Sequence, residues 1–362
     1  MAGAREGSRD AMEKIIRAAI ERGASDLHIK AGDVFRARIG GRLVALTKQR
    51  LTPLQTRVIA QRLLPTDADR ERLDTLRDVD CSWGLPGVGR FRVNISRQRS
   101  SIMIVMRIVP FTVPTLGGLG LPDVLARLAE SARGLVLLAG VPGSGRSTTL
   151  AAMVQHLNAS QPRHVICLEQ PIEFLHRDLK GSITQREVGV DTDDFASGVR
   201  AALRQDPDVI VLGDVTDGAA FESALKAAET GRLVLAATPT RDVAATLERL
   251  TSLLPREERD VGRIRLADAL LGVVAQRLLP RADGRGRVAV CEVLLATPAV
   301  REMLREGGRL EIGAIIEEGA ASGMQTFGQH AAQLAEAGVL PPDGLLPTTP
   351  SGPRRARSAP AA

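Results

Sequence analysis

The chain has no tyrosine, one tryptophan and seven phenylalanines, so aromatic residues make up 2% of its 362 positions. Proteins that hold single-stranded nucleic acid without sequence preference stack bases on aromatic faces, and few such platforms exist here. Direct nucleic-acid binding is therefore not expected, although the net charge is +6 and the pI is near 9.8. Part of that excess sits in the tail "RRAR" at 353–356. Lysine is also scarce: five residues among 48 basic ones, with arginine in its place almost everywhere. Cys81, Cys167 and Cys291 lie far apart and form no metal-ligand spacing, which excludes a clustered-thiolate zinc module and reads as reduced core thiols. No apolar run reaches the ~18–20 residues of a membrane span. Charged residues in the first helical segment argue against a secretory signal. A cytoplasmic location is expected, peripheral to a membrane at most.

Apolar residues at 44% and charged ones at 25% are ordinary for globular proteins, and the length suits two domains. "SRDAMEKIIRAAIERG" (8–23) sets Met12, Ile15, Ile16, Ala19 and Ile20 on one helical stripe ending at Gly23. Residues 25–46 alternate around Gly40-Gly41 as a hairpin does, a second helix is expected near 53–64, and strand-like runs follow at 78–84, 89–97 and 101–109. This predicts a first α+β domain over 1–112. "PFTVPTLGGLG" (110–120) is rich in Pro and Gly, which places a linker at 113–120.

From 121 to 340 the pattern becomes strand-helix alternation. "GLVLLAG" (134–140), "HVICLE" (164–169), "DVIVLG" (208–213) and "RLVLAAT" (232–238) are apolar runs of buried-strand length. They predict an α/β domain with a largely parallel sheet covered on both faces. The Pro-, Arg- and Ala-rich stretch 341–362 lacks a core pattern and is expected to be disordered.

After the first of these strands stands G-V-P-G-S-G-R-S-T, residues 140–148. In a phosphate-binding loop G-x-x-x-x-G-K-[ST], backbone N–H groups curl around phosphates, the lysine reaches the β- and γ-phosphates, and the next hydroxyl binds Mg²⁺. Gly140, Val141, Pro142, Gly143, Ser144, Gly145, Ser147 and Thr148 fit this pattern, with Ser147 as the Mg²⁺ ligand. Arg146 replaces the lysine. ATP with Mg²⁺ is the expected ligand pair. A guanidinium keeps the attraction to phosphate but is longer and planar, and crowds a cradle built at ammonium dimensions.

"GSGRSTTLAA", "LEQPIEF", "ALRQDPDVIVLGD", "AAETGRLV", "TPAVREML" and "GMQTF" follow one another in the order and spacing of the type IV pilus retraction ATPases. "ASDLHIKAG" and "LPGVGRFRVN" extend the likeness to the first domain. Over roughly residues 8–340 the chain thus resembles the PilT-like branch of the secretion-motor superfamily. The resemblance implies a PAS-like first domain, a RecA-like P-loop ATPase domain and a hexameric ring, either of one chain or mixed with a related ATPase. It also implies nucleotide bound between domains and subunits, force passed to an inner-membrane pilus platform protein, and a place at the cytoplasmic face of that membrane. By motif position, Glu169 and Glu173 would be catalytic carboxylates, Asp214 a weakened one that also meets Mg²⁺ directly or through water, and Arg92, Arg99 and Arg107 trans-acting arginines. His28 reads as a packing residue. The segment 297–308 resembles the one that the retraction branch carries where other secretion motors have a metal-binding insert.

Family members carry lysine at 146, aspartate at 170, glutamate at 214, arginine at 216 and histidines at 232 and 239; here these are Arg146, Gln170, Asp214, Thr216, Arg232 and Pro239. Asp214 draws its carboxylate back by about one C–C bond, ~1.5 Å, and misplacement of order 1 Å can lower a rate about 100-fold. Losing both histidines is expected to remove contacts at the γ-phosphate end. A general drift towards arginine accounts for Arg146 and Arg232 but not for Gln170, Asp214, Thr216 or Pro239. Three readings stay open: a ring subunit that holds nucleotide and turns it over slowly, a fully active retraction ATPase, and a DNA-translocating RecA-like ATPase.

Overall fold

A computed structural model of the chain describes residues 2–109, 112–307 and 312–342, with side chains from Met12 onward. Most of the expected tail, 343–362, lies outside the described residues.

Strands β1 (Ala24–Lys30), β2 (Arg36–Ile39), β3 (Arg42–Ala45), β4 (Asp78–Leu85), β5 (Gly89–Gln98) and β6 (Ser101–Ile108) form one antiparallel sheet in the order β3-β2-β1-β6-β5-β4. Because side chains alternate across a strand, Leu27 and Ile29 of β1, Val93 and Ile95 of β5, and Ile104 and Met106 of β6 point to one face. There they meet Ile16 of the helix Ala2–Glu21 and Leu63 of the helix Pro53–Leu63. The second helix starts as its sequence dictates: Thr52 and Gln55 form a reciprocal capping box, and Pro53 opens the first turn. The opposite face of the sheet carries Asp26, Asp80, Arg92, Asn94 and Arg107.

A second sheet holds β7 (Gly134–Ala139), β8 (His164–Glu169), β9 (Ser182–Glu187), β10 (Val209–Leu212), β11 (Leu233–Thr238), β12 (Leu270–Pro280) and β13 (Arg287–Leu295), ordered β13-β12-β7-β11-β10-β8-β9. All pairs are parallel except the β12–β13 hairpin. Every residue of β7, β10 and β11 is buried, as strands covered on both faces require. Leu135 and Leu137 pack on one side with Phe221 and Phe195, while Val136 and Leu138 pack on the other with Leu125, Met153 and Leu157. Leu116, within the stretch read as a linker, joins this second cluster.

The two sheets bear out the α/β expectation, with an α+β unit ahead of a RecA-like core. Three strands lie outside the apolar runs picked from the sequence. "SITQRE" (β9) is a polar edge strand without an apolar run, and "LLGVVAQRLLP" (β12), paired to β13, is apolar on both sides. Periodicity alone does not separate such a run from a buried helix. Among the described residues, no helix is long and apolar enough to cross a membrane.

Candidate nucleotide site

The loop 140–145 joins the end of β7 to the helix Arg146–Ser160. Gly143 and Gly145 have φ of +81° and +92°, a region that side chains disfavour. Gly140 is required by crowding: a Cβ there would lie 2.1 Å from Ser144 Oγ and 2.9 Å from the Gln276 carbonyl oxygen. The helix begins at Gly145 with no side-chain cap, so its first N–H groups and the positive end of its dipole face the loop. Ser144 Oγ is buried and has no hydrogen-bond partner among the described residues.

Gln276 of β12 supports the loop from below and belongs to none of the motifs read from the sequence. It is 2% exposed; its Nε2 donates to the Ser144 carbonyl at 2.7 Å, and its Oε1 accepts from Thr149 Oγ1 at 2.8 Å. A lone amide inside "LLGVVAQRLLP" was the available signal, because a buried polar side chain must find partners.

Arg146 turns across the cradle, its Nη1 3.4 Å from Asp214 Oδ1 at the end of β10. Burial pushes the Asp214 carboxyl up, and the Arg146 charge works against that rise. Arg249 also stands near Asp214 and donates to the Thr216 carbonyl at 3.3 Å.

Glu169 ends β8. Burial pushes its carboxyl up to about 7, opposed by a hydrogen bond from Gln185 Nε2 at 2.9 Å. Glu173 is exposed, and its N–H stands 3.5 Å from Glu169 Oε2. Gln185 of β9 also donates to the Phe174 carbonyl and accepts the His176 N–H, so it braces the whole acidic loop. Ser147, Glu169, Gln170, Glu173, His176 and Gly213 share one small cleft of about 40 Å³. Residues from two strand ends, β8 and β10, and one helix start are thereby gathered at one edge of the sheet, where open α/β sheets bind ligands.

Other expected residues lie elsewhere. Arg232 precedes β11 and donates to the Thr230 carbonyl at 2.6 Å. The γ-phosphate-end contact expected of position 232 is corrected by this placement: a six-residue strand separates it from the site edge, about 20 Å at ~3.3 Å per residue. Pro239, just past the other end of β11, does stand on the site's side. Arg92 and Arg107 are cross-strand neighbours on the outer face of the first sheet, and Arg107 Nε donates to Asp26 Oδ1 at 2.9 Å. Burial pushes the Asp26 carboxyl up, but hydrogen bonds from Ser25 and Arg107 outweigh it, so it titrates below the usual range. Arg99 sits at φ +47° in the β5–β6 turn. None of the three has a hydrogen bond or ion pair to the cradle among the described residues. His28 is half-buried on β1 and its Nε2 has no partner among the described residues. Cys167 and Cys291 are buried and Cys81 half-buried; burial raises all three thiols, Cys81 and Cys291 to about 12.

The family model for type II/IV secretion system proteins matches residues 7–339. The chain is 38% identical over 330 residues to the type IV pilus ATPase PilU of Pseudomonas aeruginosa, covering 91% of this chain and 86% of that one. It is 37% identical to the type IV pilus retraction ATPase PilT of the same organism, covering 88% and 92%. The crystal structure of the pilus retraction motor PilT with bound ADP superposes with a TM-score of 0.82 at 38% identity, over 92% of this chain and 95% of that one. The chain therefore belongs to the type II/IV secretion system protein family, and its relatives include type IV pilus retraction ATPases.

Proposed function

We propose that the chain is a nucleotide-binding ring subunit of a type IV pilus retraction motor that binds ATP with Mg²⁺ and hydrolyses it slowly. The observation that carries this reading is the contact between Arg146 and Asp214. The cradle itself supports binding: glycines stand where a Cβ would collide or strain the backbone, a helix N-terminus faces the loop, and a buried serine hydroxyl has no partner among the described residues. The donor set also suits Mg²⁺, which keeps waters and takes one or two protein oxygens plus substrate phosphates. Ser147 and Asp214 are the residues that would hold it, and no group of three acidic, His or Cys side chains forms a full cage among the described residues. Bound Mg²⁺ neutralises charge on the β- and γ-phosphates.

The residues that serve hydrolysis are less well placed. Arg146 must leave Asp214 to grip phosphate. Asp214, one carbon shorter than the family glutamate, must then hold its charge in a half-buried setting that raises its carboxyl above the usual carboxylate range. Arg92, Arg99 and Arg107 would act on a neighbouring subunit's nucleotide, since guanidinium groups keep their charge and grip phosphate oxygens bidentately. Residues 1–112 and 121–340 would then be the two moving domains, joined at 113–120. The ring would be a hexamer of this chain or mixed with a related ATPase, acting on an inner-membrane platform protein from the cytoplasmic side.

The test is an ATPase assay of the native chain beside Arg146→Lys/Asp214→Glu. The double reversion should raise kcat by about 100-fold, with the affinity for a fluorescent ATP analogue changed far less. A native chain that already turns over as fast as the double reversion overturns the slow-hydrolysis reading. Absence of saturable nucleotide binding with Mg²⁺ overturns the whole proposal.

A further inference from the structure

The side chain of Glu187, the last residue of β9, is 4% exposed. Its Oε2 accepts three hydrogen bonds from three separate segments: Ser82 Oγ of β4 at 2.9 Å, Arg90 Nη2 of β5 at 2.6 Å, and the backbone N–H of Ile172 at 3.2 Å. The first two donors belong to the first sheet. The third lies in the acidic loop, between Gln170 and Glu173. The backbone around Glu187 is tied to the same loop, because Val188 N–H donates to the Glu169 carbonyl at 2.8 Å. Asp191 Oδ2 accepts the Glu187 N–H at 2.8 Å and fixes the residue from its other side.

We infer that Glu187 is a positioning residue that couples the orientation of the first sheet to the placement of Glu169 and Glu173. A carboxylate so enclosed persists only while its partners compensate its lost hydration, and removing one partner of such a pair is strongly unfavourable. A rigid-body shift of the first sheet that draws Arg90 and Ser82 away leaves the carboxylate with Ile172 N–H alone. The side chain then turns towards solvent, Ile172 loses its acceptor, and the loop bearing both acidic residues loosens. Movement of one sheet thereby reaches the site in the other through one side chain outside the phosphate loop and its cleft. Arg90 suits this coupling because its Nε is buried and has no partner among the described residues, so there the guanidinium is held chiefly by Glu187. The meaning of this coupling for catalysis rests on the proposed nucleotide site; the coupling itself does not.

The test uses the full chain and two readouts. Amide hydrogen exchange is followed at Ile172, with Ile210 in the middle of β10 as a control. Arg90→Met, which keeps the length and removes the charge, should speed exchange at Ile172 by about tenfold and leave Ile210 unchanged. Arg90→Lys, which restores a donor to the same carboxylate, should return most of the protection. Steady-state ATP hydrolysis should show kcat lowered by about tenfold in Arg90→Met, with KM changed less than about twofold, because only the alignment of the acidic loop is disturbed. If Arg90→Met does not fold, Ser82→Ala removes one donor and should give a smaller acceleration at Ile172 in the same direction. Unchanged exchange at Ile172 in the folded variants overturns the coupling even if hydrolysis is lowered. Faster exchange in a chain that neither binds nor hydrolyses ATP upholds the coupling and overturns the nucleotide reading instead.

Discussion

The first sheet is covered by helices on one face and keeps a charged outer face, whereas the second is packed on both faces along its central strands. This difference determines where each can carry function. In the second sheet the strand faces are used up by packing, so polar chemistry is confined to the strand ends, where loop 140–145, Glu169 and Asp214 meet. In the first sheet the outer face is not used up by the apolar core, and Arg92, Asn94 and Arg107 lie on it. A two-sided core leaves its polar groups at the strand ends; a one-sided core leaves a polar face.

Core truncation draws the sharpest contrast. Phe221 is 1% exposed against the second sheet, and Phe221→Ala should lower unfolding free energy by about 3–5 kcal/mol in urea titrations. A loss below about 1 kcal/mol would show that this face is not the rigid core described.

The next effect concerns pH at the site edge. Glu169 titrates at about 7 in the fold against an ordinary 4.5, so between these values the unfolded chain has lost a proton that the folded chain retains. Its contribution to stability therefore falls as pH rises through that window. His176 is pushed by burial down to about 4 from 6.5, so in that window the unfolded chain gains a proton that the folded one refuses, and its contribution rises with pH. Each change amounts to roughly 3 kcal/mol at most, and the two oppose one another between pH 4.5 and 6.5. Glu169→Gln should expose a stability that climbs with pH, and His176→Gln one that declines. Urea midpoints at three pH values across this range would read the slopes, and parallel slopes in the two variants would refute the assignment.

Gln276→Leu strips the cradle of its brace and leaves the Ser144 carbonyl and Thr149 hydroxyl without that partner. A stability loss of about 1–3 kcal/mol is expected, together with weaker binding of a fluorescent nucleotide by titration. Intact binding would mean that the glycines alone hold the loop.

The smallest stability effect is expected on the outer face. Arg92→Ala should change unfolding free energy by no more than about 0.5 kcal/mol while lowering turnover in the proposed ring. Turnover equal to the native chain's would leave that face without a role in hydrolysis.

Elements with a strong period were legible in advance. The strands expected at 78–84, 89–97 and 101–109 appear as Asp78–Leu85, Gly89–Gln98 and Ser101–Ile108, because a half-buried antiparallel strand writes its two faces into alternate residues. The loop at 140–148 was legible because its glycines answer to local backbone needs. Gln276, Gln185 and Glu187 were not, since each is a single polar residue whose meaning depends on distant partners. The role expected of position 232 failed for a related reason: a motif shows order along the chain, not which end of a strand faces the ligand.

By itself, the sequence determined the strongly periodic strands and helices, where the phosphate loop lies and which side chains depart from the family pattern. These follow from short-range periodicity and steric limits within a few residues. Only the tertiary structure decided that Arg146 meets Asp214 across 68 positions and that Arg90 meets Glu187 across 97. Such contacts depend on strand order and on how the two sheets dock, both set by burying apolar faces over the whole molecule.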